Sequence, residues 1–545
     1  MRRGYAVLLP LMSVGVALAT PKSPETTEDR TVTLTTEHIA AVNRPRRIIA
    51  LQDVLAMEGI RSRNTFNPAR VDDVVDHVLG YLDVEGNQVD SVWLDLSEGN
   101  TAVWPSEVLP RADQVFPDWW VAGIDPIEVL VAEIHKRDRE AFFSYRVNGS
   151  DGDTLYDVTV DGLNPIKAEH PDWVHKPFPS IPQYHWNFEV AEVRDLKVEA
   201  LHELARLYDF DGIQIDFARV PVLFPPGEQW RHRDLLTDFV RRVRLALLDV
   251  ERSSGRPVLL AVRVPNSPIG CHFDGMDVEQ WAREQLIDIL VLGSRSSDVD
   301  LAAFKRITAG TGIKLYPSWS EHHSSDGYGM APIEVYRGVY ANWWDQGADG
   351  VATFNWQLWS PESAARLNIP WLPRWDTQCR VLREIGSPET LRNRDKVFFV
   401  QRRGGGHASD VSPSPHDWYT PRRLYFLTNM LAPLPMPLRS GPDALMVLWV
   451  ADDVNEALPQ EITLQVAVGG STSLDVLASA INVRINNLLL RAGRTQDDRL
   501  VFPVDPMQLA RGENLVGIEL VSALTETGEA LTIEKIELHV TYRTE

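Results

Sequence analysis

Cysteine is nearly missing from this chain: Cys271 and Cys379 are the two in 545 residues. No CxxC pair occurs, so no structural zinc frame is suggested, and spacing alone leaves a disulfide between the two open. Positive charge is also in short supply. Lys and Arg number 54 against 76 Asp and Glu, for a net charge of −22. That balance argues against nucleic acid as the main partner, because phosphate binding draws on Lys and Arg. It leaves room for a local basic pocket. After residue 18 no apolar run is long enough to cross a bilayer. No GxGxxG follows the first predicted strand and no GxSxG occurs. These absences weaken a dinucleotide-binding fold and an esterase-type serine nucleophile. No short-period repeat is visible.

What is present starts at the N-terminus. Arg2 and Arg3 precede an apolar run over 5–18, and Ala17-Leu18-Ala19 forms a small-x-small cleavage pattern. Residues 1–19 therefore read as a secretory signal peptide and 20–45 as a flexible leader. The expected mature chain is exported, with no membrane span. Composition is that of a globular protein, 44% hydrophobic and 24% charged. Its length calls for more than one core.

From residue 46 short apolar runs alternate with amphipathic segments. Strands are predicted over 48–51, 91–96, 141–146, 212–217, 258–263, 287–292, 313–316 and 350–355. Helices lie between them: one starts at Asn67-Pro68, one at Asp125-Pro126, one carries the stripe Val193 to Tyr208, and a long one covers 234–250. Eight such units predict an α/β fold, a (β/α)₈ TIM barrel over 46–395, with a doubly wound sheet as the alternative. Gly404-Gly405-Gly406 and a Ser-Pro-Ser-Pro run mark a linker over 396–420. Short β-rich runs then predict a C-terminal all-β sandwich over 421–545.

In a barrel the chemistry belongs at the C-terminal ends of strands. Alternation along the fourth strand turns Gln214 and Asp216 into the barrel. A carboxylate buried there is costly unless paired, which favours a catalytic Asp216 over a loop-ordering pair with Arg219. The same parity aligns Arg146 with Asn148 on the third strand and brings in Arg263 from the fifth. Those arginines fit anionic substrate groups or the protein's own acids. Asp95 and Glu98 end the second strand; Trp319, Glu321, His322 and His323 follow the seventh; Asn355, Trp356 and Trp359 follow the eighth. The tryptophans suit a sugar floor or rim packing. His170 and His185 lie in a long insertion, as does the acidic group Asp151, Asp153 and Asp157. That group lacks a full calcium-loop pattern, and a solvated loop is favoured.

Trp186-Asn187-Phe188, Glu192-Val193-Arg194 and Tyr208-Asp209-Phe210-Asp211-Gly212-Ile213-Gln214-Ile215-Asp216-Phe217-Ala218-Arg219 together resemble the bacterial glycosyl-hydrolase-like (family-10-like) TIM-barrel proteins. Arg146 with Asn148, His170-Pro171-Asp172-Trp173, and Gly347-Ala348-Asp349-Gly350-Val351 with Phe354-Asn355 look like further parts of the pattern. The resemblance covers about residues 46–375. It implies a glycosidase-like barrel with Asp216 in an acidic site. Gln214 departs from it, standing where many relatives carry an acid.

The expectation is an exported glycoside hydrolase acting on a polysaccharide or oligosaccharide, an anionic one included. Asp216 would be nucleophile or base and Glu321 the acid, with Asp95 and Glu98 in reserve. Asp95, Arg146, Asn148, His185, Gln214, Arg219, Arg263, Trp319, Asn355 and Trp356 would contact substrate. No cofactor or metal is implied, and oligomeric state has no signature. The competing readings are a non-catalytic carbohydrate-binding protein with a degenerate barrel, favoured by Gln214, and a polysaccharide lyase.

Overall fold

A computed structural model describes residues 32–54, 67–96, 99–112, 115–149, 164–178, 184–356, 358–369, 374–404, 418–420, 423–424, 429–439, 443–470, 472–491, 493–521 and 531–543. The expected signal peptide, Glu98 and the Asp151, Asp153 and Asp157 group lie outside the described residues.

The strands β1 (Ile48–Asp53), β2 (Val89–Asp95), β3 (Glu140–Arg146), β4 (Gly212–Asp216), β5 (Leu259–Val264), β6 (Ile289–Leu292), β7 (Lys314–Ser320) and β8 (Val351–Phe354) close into one parallel barrel. Inward side chains of its lower half form an apolar plug: Ile49, Trp93, Phe142, Leu259, Ala261, Ile289, Val291, Tyr316 and Ala352. Trp93 stacks on Phe142 at 4.7 Å between ring centroids. Gly212 makes that possible, since a Cβ there would lie 2.3 Å from the Phe142 ring.

The expected flexible leader is in part a helix. α1 (Thr36–Val42) is capped by the Thr35 hydroxyl, which accepts from the His38 N–H. Val42 joins the plug from below, and this apolar anchor is why the segment does not stay loose. Around the barrel run α2 (Val71–Leu79), α3 (Pro126–Lys136), α4 (Ala191–Leu207), α5 (Arg233–Ser254), α6 (Val278–Arg283), α7 (Leu301–Ile307), α8 (Ile333–Asp345) and α9 (Trp375–Glu384). The Asp125 carboxylate caps α3 as expected, accepting from the N–H groups of Ile127 and Glu128. The start expected at Asn67-Pro68 moves to Val71. The Asn67 side chain instead accepts from the Asp118 N–H, and the Pro68 carbonyl accepts from the Trp119 indole. A tertiary contact has taken the capping group.

Two antiparallel sheets follow, built from β9 (Lys396–Phe399), β10 (Met436–Leu438), β11 (Ala444–Val450), β12 (Glu461–Gly469), β13 (Ile481–Ile485), β14 (Leu488–Leu489), β15 (Arg494–Gln496), β16 (Arg499–Pro503), β17 (Gly512–Leu520) and β18 (Leu531–Thr541). One runs β9-β18-β12-β16-β15 with β10 also on β18, the other β11-β17-β13-β14. Their buried faces join the outer barrel layer in one apolar cluster. The expected linker therefore opens with a strand. α8 packs on it so closely that a Cβ at Gly338 would lie 2.0 Å from the Val397 carbonyl. Cys271 and Cys379 are buried and unpaired as thiols. Among the described residues, no helix is long and apolar enough to cross a membrane.

The barrel floor carries a buried polar knot. His38 Nδ1 lies 2.6 Å from Glu251 and Nε2 3.1 Å from Asp288. Both oxygens of Asp288 accept from Arg244. Burial alone would lower the imidazole pKa, and Arg244 adds to that. Hydrogen bonds and charge from Asp288, with Glu251, outweigh both and leave it raised above 6.5. A raised pKa means stability fully present below the unfolded-state value and lost as pH climbs through the folded-state one. His38→Gln should therefore cost about 1–3 kcal/mol near pH 6, with a smaller cost at pH 8.5. Urea unfolding of both proteins across that range checks it; a cost independent of pH would refute the assignment.

Candidate active site

Parity carries charged side chains to the upper end of the barrel. On β1 the inward set is Ile49, Leu51 and Asp53. Asp53 stands beside Asp95 in strand register, and Arg146, Asp216 and Arg263 stand side by side on β3, β4 and β5. A carboxylate or guanidinium in such a place must be paired to be tolerated, and all five are. Arg263 grips Asp216 with both ends of its fork: Nε donates to Oδ1 at 2.8 Å and Nη2 to Oδ2. The Arg219 backbone N–H donates to Asp216 Oδ1 at 2.9 Å. The Arg263 guanidinium also lies 3.7 Å above the Phe354 ring.

Arg146 serves two acids at once. Its Nη2 donates to Asp53, and its Nε lies 2.6 Å from Asp95 Oδ2. Gly99 brings the chain after β2 against this residue: a Cβ there would lie 1.8 Å from the Arg146 carbonyl, and its φ is +77°. Beneath the belt, the Ser144 hydroxyl donates to Gln214 Oε1 at 2.7 Å. Arg295, in the loop after β6, adds a further buried cation. Burial, with the positive charge of Arg219, Arg263 and Arg146, pulls its pKa down against the opposing pull of Asp216. The mouth thus gathers Asp53, Asp95 and Asp216 with Arg146, Arg219, Arg263 and Arg295.

The structure brings Asp95, Arg146, Gln214, Asp216, Arg219 and Arg263 together, and leaves the other expected site residues in supporting places. Glu321 is the main correction. β7 runs to Ser320, longer than expected, with Tyr316 in the lumen plug and Trp319 packed outward on Tyr336. Glu321 shares the outward side. Its carboxylate accepts from Arg374 at 2.8 Å, from Gln378 on α9, and from Tyr336 on α8 at 3.4 Å. It ties the helix layer together and does not face Asp216. Trp319 and Trp356 are buried, with the Trp356 indole donating to the Trp319 carbonyl at 3.3 Å. They pack the wall rather than floor a subsite. Asn148 steadies the loop after β4, donating to the carbonyls of Val220 and Val222. His185 is buried against His175, and burial, Lys167 and His175 lower its pKa. Asn355 meets His323 at 3.0 Å on the rim. Among the described residues, no three His, Cys, Asp or Glu side chains are grouped as metal ligands.

Sequence reasoning missed Asp53 and Arg295. Asp53 was within reach of the parity argument, since Ile49, Leu51 and Asp53 alternate. The predicted first strand stops two residues short of it. Arg295 follows a strand end inside a serine-rich turn and has no signal in the sequence.

Residues 73–224 match the glycosyl hydrolase-like 10 family. That span includes Asp95, Arg146, Asn148, Gln214, Asp216 and Arg219, whereas Asp53, Arg263 and Arg295 lie outside it. The chain is 28% identical over 200 residues to the glycosyl hydrolase DigH of Escherichia coli strain K12, and to that of Shigella flexneri. Each alignment covers 32% of this chain and 42% of the relative, so the match spans under half of those proteins. Among solved structures, a cyclomaltodextrinase is similar with a TM-score of 0.40 at 11% identity, over 88% of this chain and 79% of that one. An α-amylase from Lactobacillus plantarum gives 0.36 at 11%, over 88% and 100%. The structural likeness is distant.

Two substitutions separate the belt from the helix layer. Arg263→Met strands a buried carboxylate and should cost about 3–5 kcal/mol in urea unfolding, with much of the loss recovered on adding Asp216→Leu. A double variant no more stable than the single one would show that the pair is not coupled. Glu321→Ala should lower the melting temperature, read by calorimetry, and an unchanged melting temperature would show that Glu321 does not hold the helix layer together.

Proposed function

We propose that this chain is an exported glycoside hydrolase that acts on a polysaccharide or oligosaccharide bearing anionic groups. The observation that carries the reading is the belt of paired aspartates and arginines at the C-terminal mouth of a closed barrel. Glycosidic bonds break through a cation-like transition state that carboxylates stabilise and to which they supply protons. Asp216, clamped in the belt, supplies negative charge facing such a state. The excess of guanidinium groups over carboxylates there favours a substrate with carboxylate or sulfate groups. The family match across β2 to β4 supports glycoside chemistry, and the similarity to DigH points the same way. Export rests on Arg2, Arg3 and the apolar run behind them. The C-terminal sheets act as a sandwich that caps the barrel flank.

A second reading is a carbohydrate-binding protein without turnover. It is favoured by Asp216 having both oxygens committed to Arg263, and by Gln214, a neutral amide, as the next inward side chain on the same strand.

The test is a screen of the protein lacking residues 1–19, beside its Asp216→Asn variant, against neutral, uronic and sulfated polysaccharides, read as new reducing ends. The proposal expects release from an anionic glycan, falling about 10²–10⁴-fold in the variant. Binding without release would favour the second reading. Products absorbing in the ultraviolet through a new double bond would mark a lyase instead.

A further inference from the structure

The C-terminal sheets reach the barrel mouth through two loops. We infer that they set the position of Arg295 there, by way of Tyr328 and Asp326, and so form part of the site that grips an anionic sugar. The inference rests on the reading of the mouth given above.

The loop after β6 carries Arg295, and the loop after β7 is fastened to it. The Ser325 N–H donates to the Arg295 carbonyl at 2.7 Å, and the Ser325 hydroxyl to the same oxygen at 3.3 Å. One oxygen of Asp326 accepts from the Ser297 N–H at 2.9 Å, and the other from the Tyr328 N–H at 3.1 Å. The backbone at Arg295 is thus tied at its own carbonyl and again two residues on. Asp326 is fully buried. A carboxylate out of water is costly, and an apolar side chain would fill the space at less cost. What the carboxylate adds is a fixed spacing between the two loops.

The far side of the β7 loop is held by the sheets. The Tyr328 hydroxyl donates to Glu537 on β18 at 3.0 Å, and its ring stacks on Phe399 of β9 at 4.0 Å between centroids. Burial would raise the Glu537 carboxyl pKa; His539, Arg499 and Lys535 outweigh it and hold it down at about 2. The phenol therefore donates to a charged acceptor, the stronger kind of hydrogen bond. Lys535, also on β18, donates to the Gly327 carbonyl at 3.3 Å and lies 4.4 Å above the Tyr328 ring. Gly327 has φ +80°, and a Cβ there would lie 2.6 Å from Nη1 of Arg402, whose Nε donates to the Glu534 carbonyl at 3.0 Å. On the β6 loop, Asn429 donates to Asp298, three residues beyond Arg295. Both loops are therefore anchored from the C-terminal side, by residues outside the span 73–224.

The charge of Arg219, Arg263 and Arg146 opposes that of Arg295, so holding its backbone beside them takes a rigid support. A guanidinium fixed in advance gives up little freedom when an anion arrives. Tyr328 and Asp326 act through Arg295. They are positioning residues and do not touch the sugar.

The experiment uses the protein lacking residues 1–19, with polygalacturonate and dextran sulfate as anionic probes and dextran as the neutral control, read by isothermal titration. Tyr328→Phe keeps the ring on Phe399 and leaves Glu537 its other partners, so the fold should hold. It should weaken binding of the anionic probe about 3–30-fold. Asp326→Asn should do the same, and it decides the matter if Tyr328→Phe fails to fold. Arg295→Met should lose at least as much, and adding Tyr328→Phe to it should change binding less than twofold further. A merely bracing tyrosine would lower the melting temperature and weaken binding equally in both backgrounds, which would overturn the inference. So would anionic binding within twofold of wild type in both Tyr328→Phe and Asp326→Asn, with the reading of the mouth left standing. A wild type that binds neither anionic probe better than dextran ends both.

Discussion

Burying charge inside a closed barrel is the constraint on which the rest of this molecule turns. A parallel strand offers every second side chain to the lumen, and the lumen has little water with which to solvate a carboxylate. Asp53, Asp95 and Asp216 are held there because Arg263 reaches Asp216 from the next strand and Arg146 reaches Asp95 on the next strand and Asp53 on the one beyond. The pairing is reciprocal: each guanidinium is as dependent on its acids as they are on it. The consequence is a belt of paired charge in which removing Arg263 or Asp216 alone strands its partner.

The layers of the barrel follow from that belt. Directly below it lies the Ser144–Gln214 hydrogen bond, and beneath that the lumen is apolar, filled by Trp93, Phe142 and Tyr316 and sealed by Val42 from the N-terminal helix. With apolar side chains packed underneath, the electrostatics of the belt are set largely by its own members and by whatever enters from above. On the outside, Glu321 with Arg374 and Gln378 joins β7 to α9. Farther out, Tyr328 donates to Glu537 on β18, and Trp449 on β11 donates to Asp345 at the end of α8. The C-terminal sheets thus brace the half of the barrel opposite β3 and β4.

Most of the fold could be read from the chain because hydrophobic periodicity and strand parity are local properties. Ile213, Ile215 and Phe217 alternating with Gln214 and Asp216 show at once which way Asp216 points. Parity also explains the errors, because it is only as good as the strand end from which it is counted. β1 extends two residues beyond the obvious apolar run, and so Asp53 was lost. Glu321 reads as a site residue only because it is the acid closest behind a strand end; β7 runs on through Pro317 to Ser320, and parity from Tyr316 turns Glu321 into the helix layer. Arg295 illustrates a different limit. It reaches the mouth through a turn whose conformation depends on neighbours distant in sequence, such as Ser325, whose N–H and hydroxyl both donate to the Arg295 carbonyl. The shift of the α2 start from Asn67 to Val71 has the same origin, a capping side chain claimed by a residue some fifty positions away.

The central claim is that this belt is where a glycan is handled. The most direct measurement is a crystal structure of the protein lacking residues 1–19 soaked with an anionic oligosaccharide that it binds in solution. The account predicts a sugar ring at the mouth of the barrel above Asp216, with its acidic group against the guanidinium of Arg219 or Arg295. A sugar bound on the C-terminal sheets, with the mouth empty and the Asp–Arg pairs unmoved, would contradict it.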